Sequence, residues 1–563
     1  MATGQTTIDL GAAPQASQTK NTKPHGKRPF QGHHRKAAKY RKKAKAATEG
    51  SHEEVLLADV QALLASQKIT EGDEDGAAEE TPLPDQGSEI EVEVVELSST
   101  GDGLARQKGS DHIYVVPFSV PGDIVKVKVY RHNHDEGYTA ADFISVVEPS
   151  ALRDDSRVQC PYFAKCSGCQ FQMLDYAEQL KIKKNIVVKA YRNFSQLPPE
   201  LVPEVLDTIG SPLQYGYRTK LTPHFDGPPG NPRRGPKKGH SSMPPFGFTP
   251  KNTRKVLDIE DCPIATETVR KGLTEERARL AVEYGKYTKG ATILLRENTK
   301  RVPKASASDT PPPLEGTPST ALRVETDTHT DSKTCITDQN ATSTEYIDSF
   351  VFTNPAGAFF QNNNSILSPF TAYIREHILP PPPPTTPNTT QQPPIKYLID
   401  AYSGSGLFTI TQSSLFPGGS IGIDIADKSI AYARRNAALN GLAESQCRFL
   451  AADAPELFRS VSAHDPDETV VVLDPPRKGC DASFLRQLLQ FAPRRVVYVS
   501  CNVHTQARDV GVLVSGEVEA EGTGKEKEKG KRTRYEIESI RGFDFFPQTG
   551  HVEGVAVLNR VDA

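Results

Sequence analysis

The sequence lacks any long apolar segment. No uninterrupted hydrophobic run approaches the roughly 20 residues that a membrane-spanning helix needs, so we expect a protein that does not insert into a membrane. The first residues also lack the charged and then apolar stretch of a signal peptide, and Asp9 with few nearby arginines argues against a transit peptide. We therefore expect an intracellular protein in the nucleus, the cytoplasm or both, with a mitochondrial location left open.

Hydrophobic residues are scarce as well. They make up 36% of the 563 residues, and the chain contains 44 prolines. Such a composition predicts substantial segments that do not join a core. The remaining length still exceeds the roughly 250–300 residues that one core supports, which predicts more than one domain. Four polar or proline-rich stretches are predicted as inserts, of which the first two are also predicted to be disordered: 226–243, 302–345, 380–394 and 517–534.

Acidic residues are absent from Lys20 to Lys45, which contains eleven lysines and arginines. Residues 71–93 are mainly acidic, so the net charge of −3 hides a strong asymmetry. We predict that residues 1–86 are a disordered basic and acidic region, with one short amphipathic helix at 53–66. The basic arm is either a solvated tail, or a nuclear address or phosphate-binding segment.

Residues 87–150 have the alternating pattern of β-strands. Ile90, Val92 and Val94 alternate with glutamates, and further short strands follow between turns. This predicts a small five-stranded barrel of the oligonucleotide-binding type. The stretches Gly101–Ala105 and Val120–Asp123 resemble those of the TRAM domain, an RNA-binding barrel. The resemblance implies that this region contacts RNA.

Cysteines are few, but three of the eight lie within ten residues, as Cys160, Cys166 and Cys169. A fourth, Cys262, follows far along the chain. Four soft thiolates suit a [4Fe–4S] cluster or a tetrahedral zinc ion, and we favour the cluster. With all four cysteines as ligands, the cluster would be structural or redox-sensing. The alternative is four unrelated buried thiols. We assign 151–349 to a central cysteine-rich α+β domain that binds RNA.

From residue 350 to 563, strands alternate with helices. This pattern predicts an α/β domain with a parallel sheet and crossover connections. Two further strands, 537–540 and 555–558, are expected to complete the sheet, at least one of them antiparallel. The parallel strands are predicted at 396–400, 420–425, 448–451, 470–473 and 496–500.

Glycines follow the first of these strands, in the run Asp400 to Gly406. They would let the backbone approach a ligand closely. Asp424 ends the next strand, where a carboxylate can bind ribose hydroxyls. Because a full dinucleotide-binding glycine motif is absent, we expect an adenosine ligand without phosphates, and S-adenosylmethionine fits.

Two later strands end in reactive side chains. Asp474 is followed by Pro-Pro-Arg477, and Cys501 lies in Ser-Cys-Asn. Uracil C5 is a weak nucleophile, but attack of a thiolate on C6 makes C5 carbanion-like, so that it can take a methyl group. A base must then remove the C5 proton, and Glu553 is the candidate. Cys501 needs a lowered pKa, which Arg477 or Lys478 could provide.

The motifs together resemble the RNA uracil-5-methyltransferases. The resemblance implies a Rossmann-like class I methyltransferase domain, a Cys501 nucleophile and Glu553 as proton acceptor. It also implies that Gln361, Tyr402 and Asp424 bind the methyl donor together with Asp474. The four cysteines are similar to those of the iron–sulfur members. The matching stretches are Phe359–Asn363, Asp400–Gly406, Asp474–Arg477, Ser500–Asn502 and His551–Glu553.

The basic arm and polar inserts look like those of fungal members, which act on tRNA. We therefore expect methylation of the T-loop uridine 54 of tRNA by a monomeric enzyme, with the target base flipped out of its loop. Alternatives are the same chemistry on a ribosomal RNA uridine, methylation of cytosine C5, and a non-catalytic RNA-binding or folding factor.

Overall fold

The structure is a computed structural model, and it describes residues 48–70, 82–228, 239–251, 253–306, 321–381, 392–452, 454–518 and 533–561. The predicted basic arm and much of the four predicted inserts lie outside these residues. No helix in the described ranges is both long and apolar enough to cross a membrane.

Helix α1 (His52–Thr70) precedes the barrel. It begins with a variant of the capping box, in which Glu54 N donates to Ser51 Oγ and the Glu54 carboxylate accepts from Gly50 N, one residue before the cap. Leu56 and Val60 pack on the outside of the barrel. The short helix predicted at 53–66 is therefore confirmed, and it extends over His52–Thr70. Its packing on the barrel stabilises it.

Five strands form a closed barrel, which confirms the predicted architecture. Their order around the barrel is β1–β2–β3–β5–β4, and β3 and β5 form the one parallel pair. Val92, Val94, Val125 and Val127 fill its interior. The strands are β1 (Glu89–Leu97), β2 (Gly103–Arg106), β3 (Ile113–Val116), β4 (Ile124–Asn133) and β5 (Tyr138–Glu148).

The central region contains two four-stranded sheets and a hairpin. The sheets have the orders β10–β9–β8–β11 and β13–β14–β12–β7, and β15 pairs with β16. The elements are α2 (Tyr176–Phe194), β6 (Leu206–Ile209), β7 (Lys220–Leu221), β8 (His224–Phe225), β9 (Gly247–Phe248), β10 (Leu257–Asp258), α3 (Glu267–Glu283), β11 (Ala291–Thr292), β12 (Leu295–Pro303), β13 (Leu322–Glu325), β14 (His329–Ile336), β15 (Thr342–Ile347) and β16 (Phe350–Pro355).

The prediction that the insert 302–345 is disordered is wrong over its second half, which contains strands β13, β14 and most of β15. β14 pairs with β12 along its whole length, from Arg296 opposite Ile336 to Pro303 opposite His329. The strand is polar because cross-strand ion pairs stabilise it, including Arg301 with Asp331 and Lys333 with Glu297. Its composition therefore resembles that of a solvated loop.

The C-terminal region has one eight-stranded sheet in the order β19–β18–β17–β20–β21–β23–β22–β6. The first five strands are parallel, and β23 runs antiparallel to both neighbours. The elements are α4 (Leu367–His377), β17 (Tyr397–Ala401), α5 (Leu407–Thr411), β18 (Gly419–Asp424), α6 (Asp427–Leu439), β19 (Cys447–Ala451), α7 (Ala454–Ser460), β20 (Thr469–Leu473), α8 (Ala482–Phe491), β21 (Arg495–Ser500), α9 (Val503–Ser515), β22 (Arg534–Phe543) and β23 (Glu553–Val561).

Apolar clusters cover both faces of this sheet. One cluster includes α8, α9 and the buried face of α2, and the other includes α4, α5 and α6. The buried strands carry near-continuous β-branched runs, as expected where helices cover both faces. The edge strand β6 and helix α2 come from the central region, so the central region and the C-terminal sheet share one core.

Candidate active site

A cavity of about 950 Å³ opens at the carboxyl ends of the parallel strands. Ligands of open α/β sheets bind at this edge, because the loops that follow the strands converge there. Six residues predicted from the sequence line the cavity together: Gln361, Tyr402, Asp424, Asp474, Cys501 and Glu553.

The turn after β17 has an unusual backbone. Tyr402 has φ +68°, a left-handed conformation that is rare for an aromatic residue, and Gly404 and Gly406 also have positive φ. The carboxylate of Asp424 accepts hydrogen bonds from Gly404 N (3.0 Å) and Ala426 N (2.8 Å), which holds this turn against the end of β18. A Cβ at Gly404 would meet no atom within 4 Å, so the backbone here is open to a ligand.

The donor set of this turn fits S-adenosylmethionine. The hydroxyl of Ser403 is buried and has no hydrogen-bond partner among the described residues, although it lines the cavity. A bound polar ligand would satisfy such a group. Gln361, Tyr402 and Asp424 would hold the ligand there.

Gln361 lies opposite, in the loop after β16, and the central region fixes that loop. Thr219 N donates to Asn362 O (2.8 Å), and Lys220 Nζ donates to the carbonyls of Gly357 and Ala358 (3.1 Å each). The floor of the cavity therefore depends on contacts between segments more than 130 residues apart.

Asp474 lines the cavity, and Asp400 of the neighbouring strand β17 lies close to it. Asp400 is fully buried and accepts hydrogen bonds from Thr409 N (3.0 Å) and Thr409 Oγ1 (2.6 Å). Burial, together with the smaller effect of the neighbouring charge of Asp400, raises the pKa of Asp474 to about 7. Asp474 can therefore be neutral near pH 7, and a neutral carboxyl both donates and accepts hydrogen bonds.

Cys501 directly follows β21, at the lip of the cavity. Burial raises the pKa of its thiol to about 12, and the charges of Glu553 and Asp474 raise it as well. The Arg477 guanidinium acts in the opposite direction, through its charge and a hydrogen bond to the thiol. The guanidinium is therefore the group that favours the thiolate.

Glu553 begins β23 and is almost completely buried. Ser500 of β21 pairs with Gly554 of β23, so the register places Glu553 beside Cys501. Burial raises the pKa of Glu553 well above its ordinary value, Asp474 adds to the rise, and Arg477 opposes it. A carboxylate in this environment accepts a proton more readily than an exposed one, which suits a general base.

Sequence reasoning missed the group that positions Glu553. Lys183 of α2 is fully buried, forms an ion pair with Asp544, and donates to the carbonyls of Phe546 (3.0 Å) and His551 (2.7 Å). These contacts hold the turn that leads into Glu553. The available signal was a lysine on the apolar stripe of α2, in helical register with Ile186, Val187 and Ala190.

The four predicted ligand cysteines lie near one another. Burial raises the pKa of Cys169 and Cys262 to about 12 each, and the charges of the other thiols in the group contribute to both shifts. In the part of the chain that the structure describes, no group of three or more potential ligands has metal-binding geometry. The thiols therefore lie close together, but they are not arranged as a preformed set of metal ligands.

The chain is similar to known proteins over most of its length. A family described as tRNA (Uracil-5-)-methyltransferase matches residues 338–561, and the TRAM domain matches 85–134. A Schizosaccharomyces pombe protein named tRNA (uracil(54)-C(5))-methyltransferase is 43% identical over 528 residues, covering 94% of this chain and 86% of the relative. A Saccharomyces cerevisiae protein of the same name is 40% identical, covering 84% of this chain and 73% of the relative.

A solved structure has a similar fold. It is the Pyrococcus abyssi tRNA (uracil-54, C5)-methyltransferase in complex with S-adenosyl-L-homocysteine, with a TM-score of 0.54 and 24% identity. It matches 83% of this chain and 100% of its own length. The expected combination of a methyltransferase fold with a small barrel is confirmed.

We predict that Lys183→Met destabilises the protein by about 3 kcal/mol or more, because the Asp544 carboxylate would remain buried without a counter-charge. The measurement is the free energy of unfolding in urea. Lys184→Met is the matched control, since Lys184 pairs only with the exposed Glu204 and Asp207, and it should lose less than about 1 kcal/mol. Equal losses in the two variants would contradict the proposed importance of the buried pair.

We predict that Arg477→Gln slows alkylation of Cys501 by iodoacetamide about tenfold at a fixed pH, which corresponds to about one pKa unit. The guanidinium lowers the pKa of the thiol, so its removal raises that pKa and reduces the thiolate fraction at every pH below it. Alkylation of the Cys501 peptide is followed by mass spectrometry across a pH series. Lys478→Gln, a neighbouring cation that also lines the cavity, is the control, and an equal slowing there would contradict a specific role for Arg477.

Proposed function

The chain belongs to the tRNA (uracil-5-)-methyltransferase family, and from this premise we propose that it methylates C5 of uridine 54 in tRNA. The resemblance seen in the motifs is thereby confirmed at the level of the family. The observation that carries the proposal is one cavity that brings a thiol, a buried carboxyl and a glycine-rich turn together. The names of the two fungal relatives support the choice of tRNA and of position 54.

The residues of the cavity account for the chemistry. Cys501, activated by Arg477, adds to C6 of the uracil, which gives C5 the character of a carbanion. S-adenosylmethionine supplies the electrophilic methyl group that C5 takes up. Glu553 then removes the C5 proton, and the thiolate leaves as the C5–C6 double bond re-forms. Asp474, whose carboxyl can hold a proton near pH 7, would hydrogen-bond the polar edge of the base.

The target base must leave its stack to reach this cavity. Both Cys501 and the methyl donor approach the faces of the ring, and neither face is accessible in a stacked base. We infer that the barrel contacts the tRNA outside the cavity, because its match to the TRAM domain and its closed five-stranded form suit RNA binding.

We predict that Cys501→Ala abolishes methylation, because the alternative of direct methylation requires C5 to act as a nucleophile without activation. Tritium release from tRNA labelled at uridine C5 measures turnover, and Cys335→Ala, a change on β14 outside the cavity, should retain activity. A tRNA transcript with cytidine at position 54 should release no tritium at that position. Turnover by Cys501→Ala would contradict the covalent mechanism.

Glu553→Gln should instead accumulate a covalent RNA–protein adduct, since the C5 proton would remain after methyl transfer and the thiolate could not leave. The adduct is detected as a denaturant-resistant band that contains both RNA and protein. The double variant Cys501→Ala/Glu553→Gln should form no such band, which ties the adduct to the sulfur of Cys501.

We also propose that Cys160, Cys166, Cys169 and Cys262 hold a [4Fe–4S] cluster. The chemistry of four neighbouring thiols supports this proposal, because four thiolates are the ligand set of such a cluster. The cluster would link the segment before α2 to the loop that contains Cys262, and it would take no part in methyl transfer.

Anaerobically purified protein should contain about four iron atoms per chain and show the broad visible absorption of such a cluster. Cys262→Ser should lose most of the iron, because a ligand is removed. Cys335→Ser is the matched control and should keep it. Stoichiometric zinc, or no metal at all, would contradict the iron–sulfur proposal.

A further inference from the structure

Residues 48–51, which precede α1, lie against the loops that carry the reactive groups. We refer to residues 48–51 as the strap. The carbonyl oxygen of Gly50 accepts a hydrogen bond from Asn502 Nδ2 (3.0 Å), and the same amide donates to the carbonyl oxygen of Arg477 (2.9 Å). Asn502 directly follows Cys501, and the Arg477 side chain contacts the Cys501 thiol. One amide group therefore joins the strap, the loop after β20 and the loop after β21.

The contact at Gly50 is close enough to exclude any side chain. A Cβ there would lie 2.3 Å from Thr505 Cγ2 and 2.8 Å from Asn502 Nδ2, and the residue has φ +66°. Thr505 Oγ1 also donates to the carbonyl oxygen of Arg477 (3.1 Å). The strap therefore packs on both side chains that hold the Arg477 main chain in place.

A second contact joins the strap to the same region. Glu49 forms an ion pair with Arg508 of α9 (2.5 Å), and Arg508 donates to the carbonyl oxygens of Lys478 (3.0 Å) and Cys480 (3.3 Å). Glu49 is largely exposed, so this pair contributes little to stability, but it joins the strap to the side chain that holds the carbonyls of Lys478 and Cys480.

Helix α1, which follows the strap, is fixed independently of the catalytic loops. Asp59 of α1 is buried and accepts hydrogen bonds from Ser99 N in the barrel (2.5 Å) and from Asn193 Nδ2 of α2 (3.1 Å). Leu56 and Val60 pack against the barrel. Because α1 is anchored in this way, its capping box delivers the strap to a defined position.

We propose that the strap is a positioning segment for the nucleophile, and that it keeps the Arg477 guanidinium facing the Cys501 thiol. The charged groups that face this thiol are Asp474 from the loop after β20, Glu553 from β23, and Arg477. Arg477 is the cation among these three. A small displacement of its main chain removes the group that favours the thiolate and leaves two carboxyls that oppose it. The consequence for methylation rests on the proposed function, whereas the effect on thiol reactivity does not.

The test is Gly50→Ala in the full chain, compared with Gly441→Ala. Both glycines have similar positive φ, +66° and +71°, so both substitutions strain the backbone alike. A Cβ at Gly441 meets no atom within 4 Å, whereas one at Gly50 strikes Asn502 and Thr505. The difference between the variants therefore isolates displacement of the strap from backbone strain.

Relative to Gly441→Ala, we expect Gly50→Ala to slow iodoacetamide alkylation of Cys501 about tenfold and to move its pH profile upward by about one unit. kcat for methylation should fall by a similar factor, with the KM for S-adenosylmethionine unchanged. Identical alkylation rates and pH profiles in the two variants would overturn the proposal. Absence of methylation by the unsubstituted protein, with the alkylation difference intact, would overturn the proposed function and leave the strap proposal standing.

Glu49→Lys gives a second, milder displacement that leaves the core untouched. The substitution places two cations together at Arg508 and should push the strap from the loop, with alkylation of Cys501 slowed about two- to threefold. Glu53→Lys, the same charge change on the exposed first turn of α1, is its control. An equal effect of the two charge changes would mean that long-range charge acts on the thiol, and it would overturn the positioning role.

Discussion

The antiparallel pairing of β23 with β21 is the constraint on which the catalytic cavity depends. Cys501 and Glu553 are 52 positions apart in the chain, and the register that places Ser500 opposite Gly554 makes them neighbours. A shift by one residue would turn the Glu553 side chain to the other face of the sheet, because successive side chains alternate. The apolar clusters on both faces oppose such a shift, because it would move each buried side chain of β23 from one cluster to the other. Packing throughout the sheet therefore fixes the distance between nucleophile and base.

The proximity of these acidic groups in a buried site disfavours their charged forms, and this property is useful in the proposed reaction. Burial raises the pKa of Cys501, Glu553 and Asp474. The charge of Asp474 also raises the pKa of Cys501 and of Glu553, and the charge of Glu553 raises that of Cys501. A thiolate formed there is a strong nucleophile, and a carboxylate formed there is a strong proton acceptor. Their charges cannot all be present together, so the order of events matters. Addition of the sulfur to uracil removes its charge before Glu553 takes up the C5 proton. Arg477 favours the charged forms of Cys501 and Glu553, so it supports formation of the thiolate and keeps Glu553 ionised until the C5 proton is transferred.

Much of the C-terminal fold could be predicted from sequence because each strand is a short β-branched run that ends in a motif. Asp400, Asp474 and Cys501 all come at such ends, and parallel strands bring their carboxyl ends to one edge. Tertiary partners were not predictable in the same way. Lys183 and Asp544 lie 361 positions apart, and lysine and aspartate are residue types that are usually found on the surface. The prediction of disorder over β14 was wrong for a related reason. The polar residues of β14 pair with the neighbouring strand β12, and local composition does not reveal that pairing.

The structure therefore assembles the cavity from three parts of the chain, and not from the methyltransferase fold alone. α2 of the central region holds the turn before Glu553 through Lys183, and it also supplies the apolar face that packs against α9. The loop containing Gln361 is held by Thr219 and Lys220, also from the central region. Gln170, which follows Cys169 directly, accepts a hydrogen bond from Gly550 N and donates to Thr100 O in the barrel. The turns before Glu553 are thus held by side chains from outside the methyltransferase domain, and one of these side chains also bonds to the barrel. Under the proposed function, RNA bound to the barrel or to the central region would therefore act on the same packed structure that positions the proposed base.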